Sequence, residues 1–170
     1  MKTTRLFATI LLLSSIGVTA GDSVSMSLPT DFASRFVNLG GTVYVESLDR
    51  VTAVFANDVL AARTDSLPYA DGSVILFEFA EPVRDDEKRL ELDERGQPRK
   101  GTVVRIDMMR RMSGASGAGR AGAWEFASFR PDGTSRIDED GGPQTCAECH
   151  LEAGAEKDFV YRRRSWEPVR

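Results

Sequence analysis

Five short runs of β-branched and aromatic residues, separated by turn formers, set the main limit on what this 170-residue chain can fold into. They are residues 42–45 (TVYV), 51–55 (VTAVF), 73–79 (SVILFEF), 101–109 (GTVVRIDMM) and 123–129 (AWEFASF). Branching at Cβ and aromatic bulk suit the pleated surface of a sheet and restrict χ1 in a helix. Run 101–109 alternates apolar and polar residues, as a strand with one wet face does. Run 73–79 is apolar nearly throughout and reads as a mostly buried strand. Pro131, Asp132 and Gly133 suit a tight turn after the last run.

Helical signals are brief. Thr30 is placed to cap a short helix over 31–37, in which Phe32, Phe36 and Val37 share a face and which Gly40 and Gly41 would end. Asn57 is placed to cap a second helix over 58–63, with Asp58 in the first turn where the helix dipole favours an acid. Nothing has the long amphipathic period that a four-helix bundle requires. The expected fold class is α+β, a mainly antiparallel β-sheet with two or three short helices. Residues 84–100 are dominated by charge, with Gly96 and Pro98, and read as a solvated loop or mobile excursion. Residues 113–122 are small and glycine-rich and read as a flexible link.

The N-terminus carries an address. Lys2 and Arg5 precede the apolar run 6–13, and Val18-Thr19-Ala20 offers the small-x-small pattern of a cleavage site. That run is shorter than the roughly 20 apolar residues a membrane span needs. The expected organisation is a signal peptide at 1–20, a flexible lead-in at 21–29 and a single domain at 30–170, exported to the periplasm and free of the membrane after cleavage. The chain is acidic, with formal net charge −4, and loses two basic residues with the signal. Basic residues cluster only at Arg110-Arg111 and Arg162-Arg163-Arg164, with no interleaved aromatic stripe, which argues against nucleic-acid binding.

The chemistry is concentrated in Cys146-Ala147-Glu148-Cys149-His150, which holds both cysteines and the one histidine of the chain. C-x-x-C-H is the spacing of thioether haem attachment. One turn of backbone sets two sulfurs against the two vinyl groups of a porphyrin while the adjacent imidazole reaches the iron. A structural zinc site would need four protein ligands, and no second Cys or His pair exists. A thioredoxin-like pair would open a helix after a strand. A plain disulfide in an oxidising compartment is the remaining alternative. The expected cofactor is one covalent haem c, bound through Cys146 and Cys149, with His150 as the iron ligand. Met108, Met109 or Met112 could complete an electron carrier's iron. Met108 and Met109 lie in a strand, where packing is the commoner role of methionine, so an open or hydrophobically capped iron is expected.

Over residues 30–168 the chain resembles the cytochrome P460 family, including its c′-beta branch. The resemblance is carried by Val54-Phe55-Ala56-Asn57-Asp58, by residues 70–78, by Trp124-Glu125-Phe126, and by Cys146 to His150 followed by Asp158-Phe159-Val160-Tyr161. It implies a mostly antiparallel sheet, a homodimer, a periplasmic location and a haem iron five-coordinate on histidine. Members that oxidise hydroxylamine crosslink a lysine to the porphyrin, just before the glutamate of a D-G-(S/T)-V-x-x-K-E strand. Members of the c′-beta branch bind nitric oxide or similar diatomic gases. The lysine position here is Phe77, and Lys88, Lys100 and Lys157 fall elsewhere. The resemblance therefore implies a gas-binding haem protein with no catalytic residue and with Phe77 at the distal haem face, Phe32, Phe55 and Phe79 being weaker candidates. Strand alternation puts Phe77 on one apolar face with Ile75 and Phe79. Two other readings stand beside it. One is a redox enzyme acting on hydroxylamine, another small nitrogen compound or peroxide, with Glu78 or Glu125 moving protons. The other is an electron-transfer cytochrome serving a redox partner protein.

Overall fold

The computed structural model describes residues 26–62, 67–114, 119–136, 139 and 141–161. The five strand-forming runs lie in β1 (Val37–Val45), β2 (Arg50–Ala56), β3 (Val74–Pro82), β4 (Lys100–Arg111) and β6 (Trp124–Phe129), and a short sixth strand, β5 (Arg120–Ala121), precedes the last of them. They form one antiparallel sheet in the order β1-β2-β3-β4-β6-β5. Among the described residues three helices accompany it, α1 (Phe32–Arg35), α2 (Asp58–Ala61) and α3 (Gly142–Ala153), with 3-10 turns at Glu46–Leu48 and Ala155–Lys157. The fold is thus α+β, mainly antiparallel sheet with short helices.

Register assigns the faces. Val54 pairs with Phe77, Phe77 with Asp107, and Asp107 with Ser128, so these four share one face. Phe55, Leu76, Met108 and Ala127 pair in the same way on the other. The first face packs Val54, Ile75, Met109, Trp124 and Phe126 with Leu60 of α2 and Ala147 of α3. The second packs Ala53, Phe55, Leu76, Ile106, Met108 and Phe129 with Phe32 of α1, whose ring meets that of Phe55 edge-on at 5.4 Å. Burial on both faces is why β2 and much of β3 read as continuous apolar runs.

Several local expectations change. The first helix is a single turn that starts after Asp31, which rather than Thr30 is its N-cap, and ends at Arg35. Gly40 and Gly41, at φ 83° and 72°, do not stop a helix but sit inside β1, where the register with β2 shifts between Asn38 and Thr42. Such a bulge needs residues free of Cβ constraints, and a Cβ on Gly41 would come within 2.0 Å of the Gln97 side chain. Asn57 caps α2 as expected: its Oδ1 accepts from Leu60 N at 3.3 Å and from Val74 N at 3.1 Å, tying the helix to β3.

The charged excursion between β3 and β4 is structured rather than mobile. It folds back on itself through bridges between Arg84 and Leu90 and between Leu92 and Pro98. Its aspartates make the turns, Asp85 accepting from Glu87 N and Arg89 N, and Asp93 from Arg95 N and Gln97 N, at 2.8–3.0 Å. Of the expected flexible link, Arg120 and Ala121 form β5 with Ala121 fully buried, while 115–118 lie outside the described residues. The expected signal segment 1–20 and residues 21–25 of the lead-in also lie outside them, but Met26 and Leu28 pack against the second face. Among the described residues no helix is long and apolar enough to cross a membrane.

Candidate functional site

The C-x-x-C-H motif lies on α3, which no apolar period announced. The helix reads GPQTCAECHLEA and buries only Ala147 and Ala153. Small and polar residues let it lie close on β5 and β6, and Gly141 at φ 78° with Pro143 in the first turn fixes its start. Residues three and four apart share a helix face, so Cys146, Cys149 and His150 project together. Cys146 is half-buried, Cys149 exposed, and the two thiols are not joined to each other.

That face and the first face of the sheet enclose a cleft of about 360 Å³. Phe77, Phe79 and Phe126 line it from the sheet, Cys146, Cys149 and His150 from α3. The volume is in the usual range for a small-molecule site. The structure therefore brings together the four residues singled out in the sequence, Phe77, Cys146, Cys149 and His150. Phe79 joins them, whereas Phe32 and Phe55 pack on the opposite face.

The histidine is held in one orientation. His150 Nδ1 lies 2.7 Å from the Phe159 carbonyl oxygen, which can only accept, so Nδ1 carries the proton and Nε2 keeps its lone pair. The ring rests against Phe126 and Tyr161, with centroids at 4.8 and 5.5 Å. Burial holds the imidazole below its ordinary pKa, against the pull of the Phe159 hydrogen bond, which favours the neutral form a metal requires. Burial pushes the Cys146 thiol up, with the Asp107 carboxylate acting in the same direction and Arg105 opposing it.

The segment after α3 supplies that carbonyl. Asp158 and Phe159 sit at φ 49° and 60°, an arrangement that side chains rarely adopt without support. The Asp158 carboxylate, 7 % exposed with its residue, accepts from Tyr69 N at 2.9 Å and from Arg111 Nε at 3.0 Å. The Phe159 ring packs over Gly122, where a Cβ would come within 2.3 Å of it. Tyr161 donates from its hydroxyl to the Cys149 carbonyl at 2.8 Å. Each residue of the Asp158-Phe159-Val160-Tyr161 segment has a place in this arrangement, Val160 being buried in the core.

The cleft wall differs from the expected one. Along β3 it is apolar, but β4 presents Arg105 and Asp107 beside Phe79 and Phe77. Asp107 Oδ1 accepts from Ser128 Oγ at 2.7 Å, and its Oδ2 lies 3.3 Å from Arg105 Nε. These polar groups were missed because alternation in 101–109 assigns them to a wet face, and the wet face turns out to be the cleft. Glu78 and Glu125, the carboxylates considered for proton transfer, do not line it. Glu78 is buried on the opposite face and paired with Lys100, and Glu125 is held by Arg110 at 2.7 Å and by Arg120. Met108 and Met109 are buried in the two core clusters, as packing residues are, and also border the cleft. Lys88 and Lys157 are exposed, Lys100 is engaged by Glu78, and no lysine lines the cleft among the described residues.

The residues present fit a haem. Two unjoined thiols lie a helical turn apart, an imidazole offers Nε2, and aromatic rings line a mainly apolar cleft. Among the described residues no group of three or more His, Cys, Asp or Glu side chains could hold a bare metal ion. A metal on His150 would therefore need a cofactor to supply its remaining ligands. No curated protein matches the chain. The family model described as cytochrome P460 matches residues 29–162, a span that takes in every strand, the cysteine-bearing helix and the turn that orients His150. The chain belongs to the cytochrome P460 family, and kinship with it implies haem and iron.

Proposed function

We propose that this chain is an exported, periplasmic mono-haem c-type cytochrome that binds a neutral diatomic ligand such as nitric oxide. Cys146 and Cys149 hold the haem as thioethers and His150 is its iron ligand. A haem held there would supply an iron able to take a small ligand. Phe159 fixes the imidazole through Nδ1, which keeps Nε2 aimed at a single point. Phe77 and Phe79 exclude water from the sheet side of the cleft. The observation that carries the reading is Phe77 itself: it lines the same cleft as the haem motif, and a phenyl ring has no nitrogen with which to modify a porphyrin. Phe77 supports a reading nearer the c′-beta branch than the crosslinked one, with the homodimer that the resemblance implies.

Absorption spectra of the ferric, ferrous and nitric-oxide-treated protein test it, with haem staining after denaturing electrophoresis. The expected result is a stained band that survives acid-acetone extraction, a high-spin ferrous form and a nitrosyl spectrum. Robust hydroxylamine turnover would sink the gas-binding reading.

One observation favours the second reading, a redox enzyme for hydroxylamine or another small nitrogen compound. Asp107 stands directly across the ladder from Phe77 in the cleft and is oriented by Ser128. A carboxylate there could accept a proton from a polar ligand, whereas Glu78 and Glu125 do not line the cleft and are paired with basic residues. Turnover that vanishes in Asp107→Asn while nitric oxide binding persists is the outcome that would favour it.

A further inference from the structure

Two hollows meet beside Phe79. The main cleft is lined there by Phe79, Arg105 and Arg136, and the same three residues line a second hollow of about 340 Å³ together with Leu48, Arg50 and Val104. Arg105 and Arg136 thus border both hollows, and Arg50 joins them in the second. Arginine is the side chain best shaped to grip a carboxylate, because its planar fork offers parallel N–H donors.

Arg105 is prepared for such a ligand in two ways. Its guanidinium stacks on Phe79, with Cζ 4.1 Å from the ring centroid, which fixes its plane. Its Nε is buried and has no hydrogen-bond acceptor: Asp107 Oδ2, at 3.3 Å, makes an ion pair with it but is not placed to accept. A buried donor left without an acceptor costs stability, so an arrangement that leaves one facing a cleft calls for an acceptor from what fills the cleft. Arg136 is anchored by its own Nε, which donates to Glu139 at 2.8 Å, and is largely buried, its side chain 18 % exposed.

We propose that Arg105, with Arg136 beside it, is the carboxylate-binding end of the cleft and receives the propionate side chains of the haem. The inference rests on the haem reading of the cleft. A porphyrin joined through its vinyl groups to Cys146 and Cys149 carries its two propionates on the opposite edge, away from the thioethers. Arg105 then has two tasks: it satisfies a propionate oxygen with a donor that is otherwise orphaned, and it sets the macrocycle's rotation against Phe77 and His150.

The test compares wild-type holoprotein with Arg105→Gln, Arg105→Lys and Arg136→Gln. A pyridine haemochrome assay first counts covalent haem per chain. Absence of covalent haem in wild type would remove the haem reading itself, and is distinguishable from every result below. Resonance Raman spectra then report the propionate bending band, and potentiometry the reduction potential. Arg105→Gln is expected to shift that band and to move the potential lower, because a positive charge that disfavours the ferric state is gone. Arg105→Lys should return the potential but only part of the band shift. Arg136→Gln should also shift the band, and it carries the test if Arg105→Gln fails to fold. An unchanged band in the folded variants overturns the proposal, even where the potential moves. A free anion from solution could use the same chemistry, and titration with formate separates the two. A formate-dependent spectral change in wild type, lost in Arg105→Gln with the propionate band unmoved, also overturns it.

Discussion

Replacing Asp158 by asparagine probes how the His150 carbonyl partner is held in place. The substitution is nearly isosteric, and asparagine tolerates the positive φ of 49° found there, so backbone strain is not added. What it removes is charge. Asp158 and Arg111 are 9 % and 13 % exposed in their side chains, and their contact is 3.0 Å. Removing one partner of a fully buried pair costs about 3–5 kcal/mol, mostly through the charge left behind. Arg111 is not left alone, since Asp71 accepts from its Nη1 at 2.7 Å with a half-exposed carboxylate. Tyr69 N also keeps an amide oxygen to donate to. The expected cost is therefore about half the fully buried figure, about 2 kcal/mol, read as a lower urea midpoint at unchanged m-value. The thermal midpoint should fall by about 4–8 °C, given about 2–4 °C per kcal/mol for a chain of this size. The ferrous iron–histidine stretching band should broaden, because the next residue supplies the acceptor for His150 Nδ1. A loss under about 0.5 kcal/mol would mean that the pair behaves as a surface pair. A full loss with an unchanged iron–histidine band would show that the turn stabilises the fold without orienting the ligand.

Three further outcomes are expected. Phe77→Ala should open the sheet side of the cleft and speed carbon monoxide and nitric oxide binding in stopped-flow experiments, and unchanged rates would place the ring away from the ligand path. Gly122→Ala puts a Cβ within 2.3 Å of the Phe159 ring at a residue with φ 57°, so denaturant titration should show a loss of about 2–4 kcal/mol from overpacking and backbone strain together. The Ser113 hydroxyl, with the Ser113 N–H and Arg111 behind it, holds the Asp71 carboxyl below its ordinary value of 3.8. Its contribution is present above that value and lost as pH falls through the lowered folded one, so the gap between wild type and Asp71→Asn in urea midpoint should close on acidification from about pH 6 to about pH 3.

The strands were legible because each run carries its own evidence, such as the β-branched density of 51–55 or the alternation of 101–109. What was not legible depends on partners distant in the chain. Gly40 and Gly41 look like a helix stop until Gln97, from the β3–β4 excursion, is seen to occupy the space that a Cβ would need. Helix α3 buries almost nothing large, because its buried residues are Ala147 and Ala153, with Cys146 half-buried beside the cleft, so hydrophobic period could not announce it. In the site, Cys146, Cys149 and His150 were singled out by their spacing, and Phe77 by the resemblance, with one strand's alternation giving only its face. Arg105 and Asp107 were hidden by the same rule that found the strand, since alternation separates two faces without saying which one meets water.

The sheet is a meander whose first five neighbours in space, from β1 through β4 to β6, follow one another in sequence except for the two-residue β5. Every hairpin can close as soon as its second strand is available, while the cleft must wait for α3 and the turn beyond it. In a sheet formed before α3, Phe77, Phe79 and Phe126 would face outward uncovered by that helix. Such a surface invites self-association. The order of the elements thus leaves the covering of those three rings to the last helix.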